Sequence, residues 1–451
     1  MTVSAIVRTE HGDPDSAAAE ASRVREALRP GVMRPRLLDA LGLSRGACQV
    51  LDAKYEPGNR CTVLYQVGPH LVRGDVAVGD WGNRGGAGTR GISAQPANAL
   101  PTRPVVPPGV ALSVYPTDPG LPALPAAADP RVLCAAIREV AQGTRHRAHD
   151  GPVRLLRYRP GRRATLLAAA GDLYVVKVYH DPGKALAVAQ ESAALQETMD
   201  SAAGPLGLAA TIGILPGMPA VLQRAVRGHG LDQLLGSPRG RAPGLLEAVR
   251  SAAQAIAALH RAPVTSRRLR PVDAELQRFK SRAAGVACVD PAGGAQLVQL
   301  AGRLISTQPS APGAGLGLVH GDCKPSQFRV HGTILTLLDF DHCGVADPAS
   351  DVGNFIASLR QAAVRGRFAA SGDSGRPDLL ETLAAAFLRA YLDGSEYPQT
   401  STFGARVGWY EAVALERKAL RAFSRSPDSI LPTLLVREAH RVLDRVCWGH
   451  P

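Results

Sequence analysis

The chain has 451 residues, of which 45% are hydrophobic and 20% are charged, and its formal net charge is +13. This length allows two or three packed domains, and the composition excludes a wholly disordered protein. The positive charge is spread along the chain without long basic runs, and aromatic residues make up only 4% of it. We therefore expect no specific nucleic-acid binding.

Targeting and redox signals are absent from the sequence. The first twenty residues contain no apolar core of signal-peptide length, and no stretch approaches the roughly 20 uninterrupted apolar residues of a membrane span. The seven cysteines are scattered and form no cluster with metal-site spacing. We expect a cytoplasmic protein with reduced thiols and no membrane segment.

The sequence pattern indicates a separate N-terminal region over residues 1–150. An Ala-rich helical pattern leads to strand-like text at Cys61–Val67, and a Gly-rich stretch at Gly79–Gly91 predicts a loop. Residues 101–130 contain many prolines, which block helices and central strands, so we expect an extended connector or an edge segment there. A domain boundary near residue 150 follows.

A weak internal repeat links this region to the next one. KYEPGNRCTVLY at Lys54–Tyr65 and RYRPGRRATLLA at Arg157–Ala168 align at an offset of 103 residues with six identities in twelve. Each copy predicts a β-hairpin with a Pro-Gly turn. Only the second copy continues into a strand that bears a lysine, so we interpret the first as a non-catalytic, lobe-like cap; the alternative is a fortuitous likeness of two hairpins.

The second region offers a strand lysine and a helix glutamate in succession. Lys177 lies within the strand-like DLYVVKVYHD at Asp172–Asp181, and Glu191 follows on an Ala-rich helix. Taken alone, each has a structural explanation: Lys177 could be a strand lysine that reaches to solvent, and Glu191 could belong to a solvated helix face. Further on, Ala220–Leu235 predicts a strand, a loop and a helix that could receive an adenine, and His260 at a helix end is expected to be structural.

Two motifs near residue 330 carry the chemistry of phosphoryl transfer. That reaction needs cations on the phosphates, oxygen ligands for magnesium and a carboxylate that orients the attacking hydroxyl. In HGDCKPSQ, Asp322 stands five residues before Gln327, with Lys324 between them, and ILTLLDFD then presents Asp339 at the end of a strand. We expect Asp322 to face the hydroxyl and Lys324 to meet the transferring phosphate. Gln327 and Asp339 are expected to bind the metal. The acids at 347 and 351 are expected to cap a helix.

HGDCKPSQ followed by LLDFDHCGVADPASDVGNF resembles the catalytic loop and metal segment of the aminoglycoside phosphotransferase and choline kinase superfamily. The resemblance covers roughly Val153–Val446. It implies an α+β, two-lobed protein-kinase-like fold preceded by a cap-like α/β region: residues 1–150 would form the cap, 151–226 the kinase N-lobe and 227–451 the C-lobe.

The resemblance also implies roles for single residues. Asp322 would be the catalytic base, Asp339 a magnesium ligand, Lys177 the phosphate-binding lysine and Glu191 its helix partner. His320 and Asp351 would brace the loop, and the turn at Pro160–Gly161 would stand in for the nucleotide-covering loop, although no GxGxxG is present.

One residue departs from the family's pattern. The family usually has Asn where this chain has Gln327, which offers the same amide oxygen on a longer arm. Bacterial maltokinases, which also carry an N-terminal cap, look similar at this point.

The function predicted from these residues is an ATP- and Mg²⁺-dependent kinase that phosphorylates a hydroxyl of a sugar, an aminoglycoside or a related small metabolite. Two alternatives remain open: a catalytically impaired pseudokinase that binds a nucleotide or a partner, and a protein kinase, which the HGD sequence in place of HRD disfavours. Helices expected at Leu379–Leu392, Val407–Phe423 and Leu431–Val446 would form the acceptor wall. Glu411 and Glu416 on the second of these are expected to lie at the surface, solvated or ion-paired, with Arg417 and Lys418 close by as partners.

Overall fold

The computed structural model describes residues 14–78, 104–141, 151–201, 206–236, 244–264, 266, 268–309, 315–368, 376–395, 401–426 and 429–447. The Gly-rich stretch at 79–91 lies outside them. Sheets and helices both contribute throughout the described ranges, which confirms the predicted α+β class. Contacts within the chain define two compact units: residues 1–118, 280–298 and 420–429 form the first, and residues 119–279, 299–419 and 430–451 form the second.

The first unit contains two helices followed by one antiparallel sheet. The elements are α1 (Pro14–Ala27), α2 (Pro30–Ala40), β1 (Cys48–Glu56), β2 (Arg60–Val67), β3 (His70–Val76), β4 (Val105–Val106) and β5 (Val110–Val114). The strand order is β1-β2-β3-β5-β4. Buried side chains from the sheet and from both helices, including Tyr65, Leu112 and Met33, form its core.

The proline-rich segment differs in part from its prediction. β4 is an edge strand, as expected, but β5 lies inside the sheet, between β3 and β4. Its apolar residues Val110 and Leu112 are fully buried, and the prolines fall outside the strand, so they remove none of its ladder hydrogen bonds. The alternation of apolar residues between the prolines therefore allows a central strand, even though the segment as a whole is rich in proline.

The second unit begins with two helices and a five-stranded sheet. Its elements are α3 (Leu124–Ala128), α4 (Pro130–Val140), β6 (Arg154–Arg159), β7 (Arg163–Ala170), β8 (Asp172–Tyr179), α5 (Pro182–Ser201), β9 (Leu206–Leu208), β10 (Thr211–Ile214) and β11 (Ala220–Arg224). The strand order is β6-β7-β8-β11-β10. This is the order of the first sheet: a three-stranded meander, then the last strand, then the one before it at the edge.

Both copies of the repeat are β-hairpins, as predicted. β1 pairs with β2 and β6 with β7, each around a Pro-Gly turn whose glycine, Gly58 or Gly161, has a positive φ of 68° or 66°. A glycine with positive φ after a proline is the sequence requirement of this turn. The repeat therefore reflects the same local backbone in both sheets.

The remainder of the second unit is mainly helical. Its elements are β12 (His229–Gly230), α6 (Leu231–Gly236), α7 (Leu245–Arg261), α8 (Val272–Val289), α9 (Pro291–Ser306), β13 (Gly317–Val319), β14 (Phe328–His331), β15 (Ile334–Leu337), β16 (Gly344–Ala346), α10 (Ala349–Phe368), α11 (Arg376–Gly394), α12 (Ser401–Arg425) and α13 (Leu431–Cys447). The first unit shares α8, α9 and α12. The three predicted C-terminal helices are confirmed as α11, α12 and α13.

An apolar core fixes the helical part around the short strands. Val249, Ile256 and Leu259 line one face of α7 at helical spacing and are fully buried. Phe355 of α10 stacks on Phe387 of α11, with ring centroids 3.8 Å apart. This packing holds in place the two short sheets, β13-β16 and β12-β14-β15-β9, whose loops carry the sequence motifs.

Candidate active site

The HGDCKPSQ segment forms a loop that begins where β13 ends. A short 3-10 turn at Pro325–Gln327 follows, and the chain then enters β14. The carboxylate of Asp322 accepts hydrogen bonds from the Lys324 ammonium and, at 3.0 Å, from Nε2 of Gln327. The three polar residues predicted from this motif are therefore in direct contact with one another.

The Asp351 side chain anchors the start of this loop. Its carboxylate accepts hydrogen bonds from the backbone amides of His320, at 2.6 Å, and Gly321, at 2.9 Å, and it lies 3.2 Å from Nε2 of His260. Asp351 is 1% exposed and lies in the first turn of α10. It fixes two consecutive peptides immediately before Asp322, as the resemblance implied.

The His320 side chain joins the loop to the second motif. Its Nε2 donates to the carbonyl of Leu338 at 2.8 Å, and its Nδ1 accepts from the backbone amide of Asp322 at 3.2 Å. The first bond requires the proton on Nε2, since a carbonyl only accepts. His320 therefore sets the spacing between Asp322 and the strand end that carries Asp339.

Asp339 follows β15 in a left-handed backbone conformation, with φ of 64°. Such a conformation is uncommon for a residue other than glycine, although aspartate tolerates it better than most. It turns the carboxylate toward β8, where Lys177 Nζ donates to Asp339 Oδ1 at 2.7 Å. The fold thus joins two predicted site residues that are 162 positions apart.

A balanced cluster of four charges surrounds this contact. Lys177 Nζ also donates to Asp341 Oδ1 at 2.7 Å, and Arg163 of β7 forms ion pairs with both Asp341 and Asp339. The hydroxyl of Tyr179 donates to Asp341 Oδ2 at 2.8 Å. Two cations and two carboxylates, all largely buried, therefore compensate one another, as buried charges must.

Charge neighbours keep both predicted carboxylates ionised. Burial acts to raise the pKa of Asp322, but Lys324, His320 and His342 hold it well below its ordinary value. Burial likewise opposes ionisation of Asp339, yet Lys177 and Arg163 hold its pKa far below the usual range. At neutral pH both groups are negative and available to a hydroxyl or a cation.

Glu191 lies on α5, as predicted, and is partly buried. Among the described residues it forms no ion pair with Lys177, whose partners are Asp339 and Asp341. The structure therefore brings Lys177, Asp322, Lys324, Gln327 and Asp339 together around one loop and one strand end, and it leaves Glu191 beside them without a contact to the lysine.

Two arginines that sequence reasoning missed brace the second motif. Arg268 donates to the carbonyl of Asp341 at 2.9 Å, and Arg270 donates to the carbonyl of His342. The Arg270 side chain lies against Gly321 and Gly344, where a Cβ would come within 2.8 Å and 3.1 Å of it. Nothing in the sequence near these arginines marks them, because their targets are backbone carbonyls more than seventy residues away.

Arg163, Tyr179 and Asp341 are further site residues missing from the predicted set. A signal existed for all three: Arg163 belongs to the repeat, Tyr179 follows Lys177 at strand spacing, and Asp341 follows Asp339 at an interval of two. Alternation along β8 places Lys177 and Tyr179 on the same face. That rule could have identified the tyrosine.

The remaining acids have structural roles. Asp347 accepts from the amide of Ala349 at 3.0 Å and from Arg406 at 2.9 Å, so the predicted capping role is confirmed for this residue. The same role was expected for Asp351, but its carboxylate binds the amides of His320 and Gly321 in the loop. Glu411 is ion-paired, but with Arg360 in the interior and not with Arg417 or Lys418. The surface location expected for Glu411 and Glu416 is wrong, since both are buried.

Comparison with known families identifies the class of protein. Residues 160–402 match the family model described as the phosphotransferase enzyme family, which is more than half of the chain. The chain belongs to this family, whose model begins at the turn after β6 and includes β7, the strand lysine, the loop and the Asp339 segment. This match and the five-stranded sheet followed by a helical region confirm the predicted superfamily and its kinase-like fold.

Solved structures show what the chain is similar to. A choline kinase from Cryptosporidium parvum is 12% identical with a TM-score of 0.49, and a choline/ethanolamine kinase family protein from Mesorhizobium loti is 18% identical with a TM-score of 0.45. Each comparison covers 71% of this chain and 97% of the other. An aminoglycoside-3'-phosphotransferase of type VIII is 18% identical with a TM-score of 0.42, covering 62% of this chain and 98% of the other.

The comparison with curated proteins found no match. Across the described ranges, the helices are too short or too polar to cross a membrane.

Proposed function

We propose that this member of the phosphotransferase enzyme family transfers the γ-phosphate of ATP, with Mg²⁺, to a hydroxyl group of a small molecule. The observation that carries the proposal is the contact of Lys177 with Asp339 beside the ionised Asp322 loop. Phosphoryl transfer needs a cation for the phosphates, an oxygen ligand for the metal and a carboxylate for the acceptor, and these are the groups assembled here.

Asp322 is assigned to the acceptor hydroxyl. Its carboxylate is ionised, and its Lys324 and Gln327 contacts both involve Oδ2, so they fix its orientation. It accepts the hydroxyl proton as the new P–O bond forms, while the bond from the γ-phosphorus to the bridging oxygen breaks and ADP leaves. A carboxylate with a lowered pKa is a weak base, which suits a loose transition state in which orientation matters more than early proton removal.

The residues present fit a magnesium ion. Asp339 offers a carboxylate, and the amide of Gln327 gives its nitrogen to Asp322, which leaves the carbonyl oxygen as the remaining ligand atom. Mg²⁺ prefers such oxygen donors, and it would neutralise charge on the β- and γ-phosphates.

Lys177 and Lys324 are assigned to the nucleotide's phosphates. Lys177 is 5% exposed and balanced by two aspartates, so it offers a buried positive charge that a phosphate can take over from them. Lys324 contacts Asp322 and would meet the phosphoryl group during transfer. Glu191 is assigned to the position of Lys177's helix partner, a contact that would form only when a nucleotide draws the lysine away from the aspartates.

The acceptor is proposed as a class only. A sugar, an aminoglycoside or a related metabolite with a free hydroxyl fits the chemistry of Asp322. A cytoplasmic location accords with reduced thiols and an ATP substrate.

Residues 1–150 are proposed to be a cap-like region derived from a degenerate N-lobe repeat, followed by the kinase N-lobe at 151–226 and the C-lobe at 227–451. Its support is the shared strand order and the shared Pro-Gly hairpin. The repeat aligns Thr62 of the first sheet with Thr165 of the second. Thr62 pairs with Asp75 on the neighbouring strand, whereas Thr165 pairs with Lys177. An acid therefore stands where phosphate binding needs a cation.

The test is magnesium-dependent ADP release by the full chain with a panel of sugars, aminoglycosides and amino alcohols. We expect release that depends on one acceptor class and falls by at least a hundredfold in Asp322→Asn, because the hydroxyl loses its orienting carboxylate. Asp393→Asn, an exposed carboxylate at the end of α11, is the matched control and should be unaffected.

Two outcomes would contradict the proposal. One is turnover that is equal in Asp322→Asn and wild type. The other is a folded protein that binds ATP but releases no ADP with any acceptor, which would favour the pseudokinase alternative.

A further inference from the structure

The hairpin turn between β6 and β7 carries an arginine for which the described residues provide no partner. Arg159 ends β6 and pairs across the ladder with Arg163, which begins β7. The turn between them is closed by a hydrogen bond from the amide of Arg162 to the carbonyl of Arg159, 3.0 Å long. Two arginine side chains therefore stand next to each other at the end of the hairpin.

The two arginines differ in what they contact. Arg163 forms ion pairs with Asp341 and Asp339. Arg159 makes no hydrogen bond or ion pair with another described side chain, although it is half-buried. A guanidinium taken partly out of water normally has a carboxylate or a carbonyl to bind, since its burial is otherwise costly.

The position of Arg159 places it beside the two proposed site carboxylates, because its cross-strand neighbour Arg163 reaches Asp339. Burial and the neighbouring Arg157 and Arg163 lower its pKa to about 10, while Asp322 and Asp339 act in the opposite direction. The two acids that influence it are therefore the predicted base and the predicted metal ligand. In the proposed reaction the γ-phosphoryl group passes between these two carboxylates.

The turn is also held in place from outside. A Cβ on Gly120 would come within 2.5 Å of the Cα of Gly161, so the backbones of the two segments are packed against each other without space for a side chain. A turn fixed in this way positions its flanking residues before any ligand arrives, which reduces the entropy lost on binding.

We infer that Arg159 binds the γ-phosphate of the nucleotide, so that a side chain on the hairpin does what backbone amides do in a Gly-rich loop. The inference rests on the proposed function. It explains why the turn needs no GxGxxG: a guanidinium supplies two parallel donors to phosphate oxygens from a single residue.

The experiment compares binding of ADP and of the non-hydrolysable β,γ-imido analogue of ATP, both with Mg²⁺, by calorimetry on the full chain. We expect Arg159→Ala to weaken the triphosphate analogue at least tenfold and ADP less than threefold, because only the analogue has a γ-phosphate. Arg162→Ala removes an exposed arginine of the same turn and should change neither affinity.

Arg159→Gln and Arg159→Lys serve as controls that separate loss of the charge from a folding defect. The uncharged glutamine should behave as alanine does, whereas lysine should recover part of the discrimination, and thermal melting must match wild type. An unchanged ratio of the two affinities in Arg159→Ala or Arg159→Gln would overturn the inference alone. Absence of nucleotide binding by the wild type would overturn the proposed function as well.

Discussion

At the scale of residues, the site is organised by compensation of charge. Asp341 is the centre of this compensation, since it accepts hydrogen bonds from Lys177, Arg163 and Tyr179. A nucleotide and its metal bring charges of both signs, so they can exchange partners with the cluster without leaving any ion unpaired. Under the proposed function, Asp341 would remain with Arg163 while Lys177 and Asp339 turn to the ligand.

Asp341→Asn should lower the free energy of unfolding by about 3 kcal/mol, because removal of one charge from a buried cluster leaves its partners uncompensated. Tyr179→Phe removes one hydrogen bond to the same carboxylate and should cost about 1 kcal/mol. Urea denaturation at neutral pH measures both. If Asp341→Asn were as stable as Tyr179→Phe, the cluster would contribute no net stability and the desolvation of its charges would be the larger effect.

At the scale of elements, the loop before Asp322 depends on a close approach between two backbones. Gly321 has a φ of 74°, and a Cβ there would lie 2.2 Å from the carbonyl oxygen of His342. The HGD loop and the segment after Asp339 can therefore touch only if position 321 has no side chain. This contact, together with the His320 bond to Leu338, sets the position of Asp322 relative to Asp339.

Gly321→Ala should reduce kcat at least tenfold, since the loop must move away from His342 and carries Asp322 with it. Gly332→Ala is the matched control, because its φ is 60° but no atom lies within 4 Å of the added Cβ. The control should lose only about 1 kcal/mol of stability, from its left-handed backbone, and retain its kcat. Steady-state kinetics with whichever acceptor the panel of sugars, aminoglycosides and amino alcohols selects measure this, and equal kcat values for the two variants would contradict it.

At the scale of the whole molecule, two sheets share one strand order and one hairpin, but only one carries the lysine. The first has Asp75 in the register position of Lys177, and its own hairpin turn is held by Glu20, which accepts from the amide of Gly58 at 2.9 Å. An acid at this place repels phosphate. Two sheets with the same strand order therefore need not carry the same site.

Calorimetric titration of the full chain with the β,γ-imido analogue of ATP and Mg²⁺ should give one site per chain. Lys177→Met should remove most of the binding, whereas Asp75→Asn should leave the stoichiometry and the affinity unchanged. Two sites in the wild type, or a site that survives in Lys177→Met and disappears on mutation of the first sheet, would show that the first sheet binds nucleotide.

The sequence by itself determined the family, the hairpins and the order of the chemical groups along the chain. These features are local: a Pro-Gly turn, strand alternation and the spacing in HGDCKPSQ depend on neighbours within a few residues. Asp322, Gln327, Lys324 and Asp339 were recognisable for this reason. Lys177 was recognisable only through its place in the succession of motifs.

Only the tertiary structure decided which charges meet. Lys177 pairs with Asp339 and Asp341 and makes no ion pair with Glu191, Arg360 takes Glu411, and Arg268 and Arg270 bind carbonyls. Ion pairing depends on distances of a few ångströms between segments that are far apart in sequence, and a long side chain can reach several partners of similar energy. The sequence specifies the charges that are present, but packing selects among the pairings they allow.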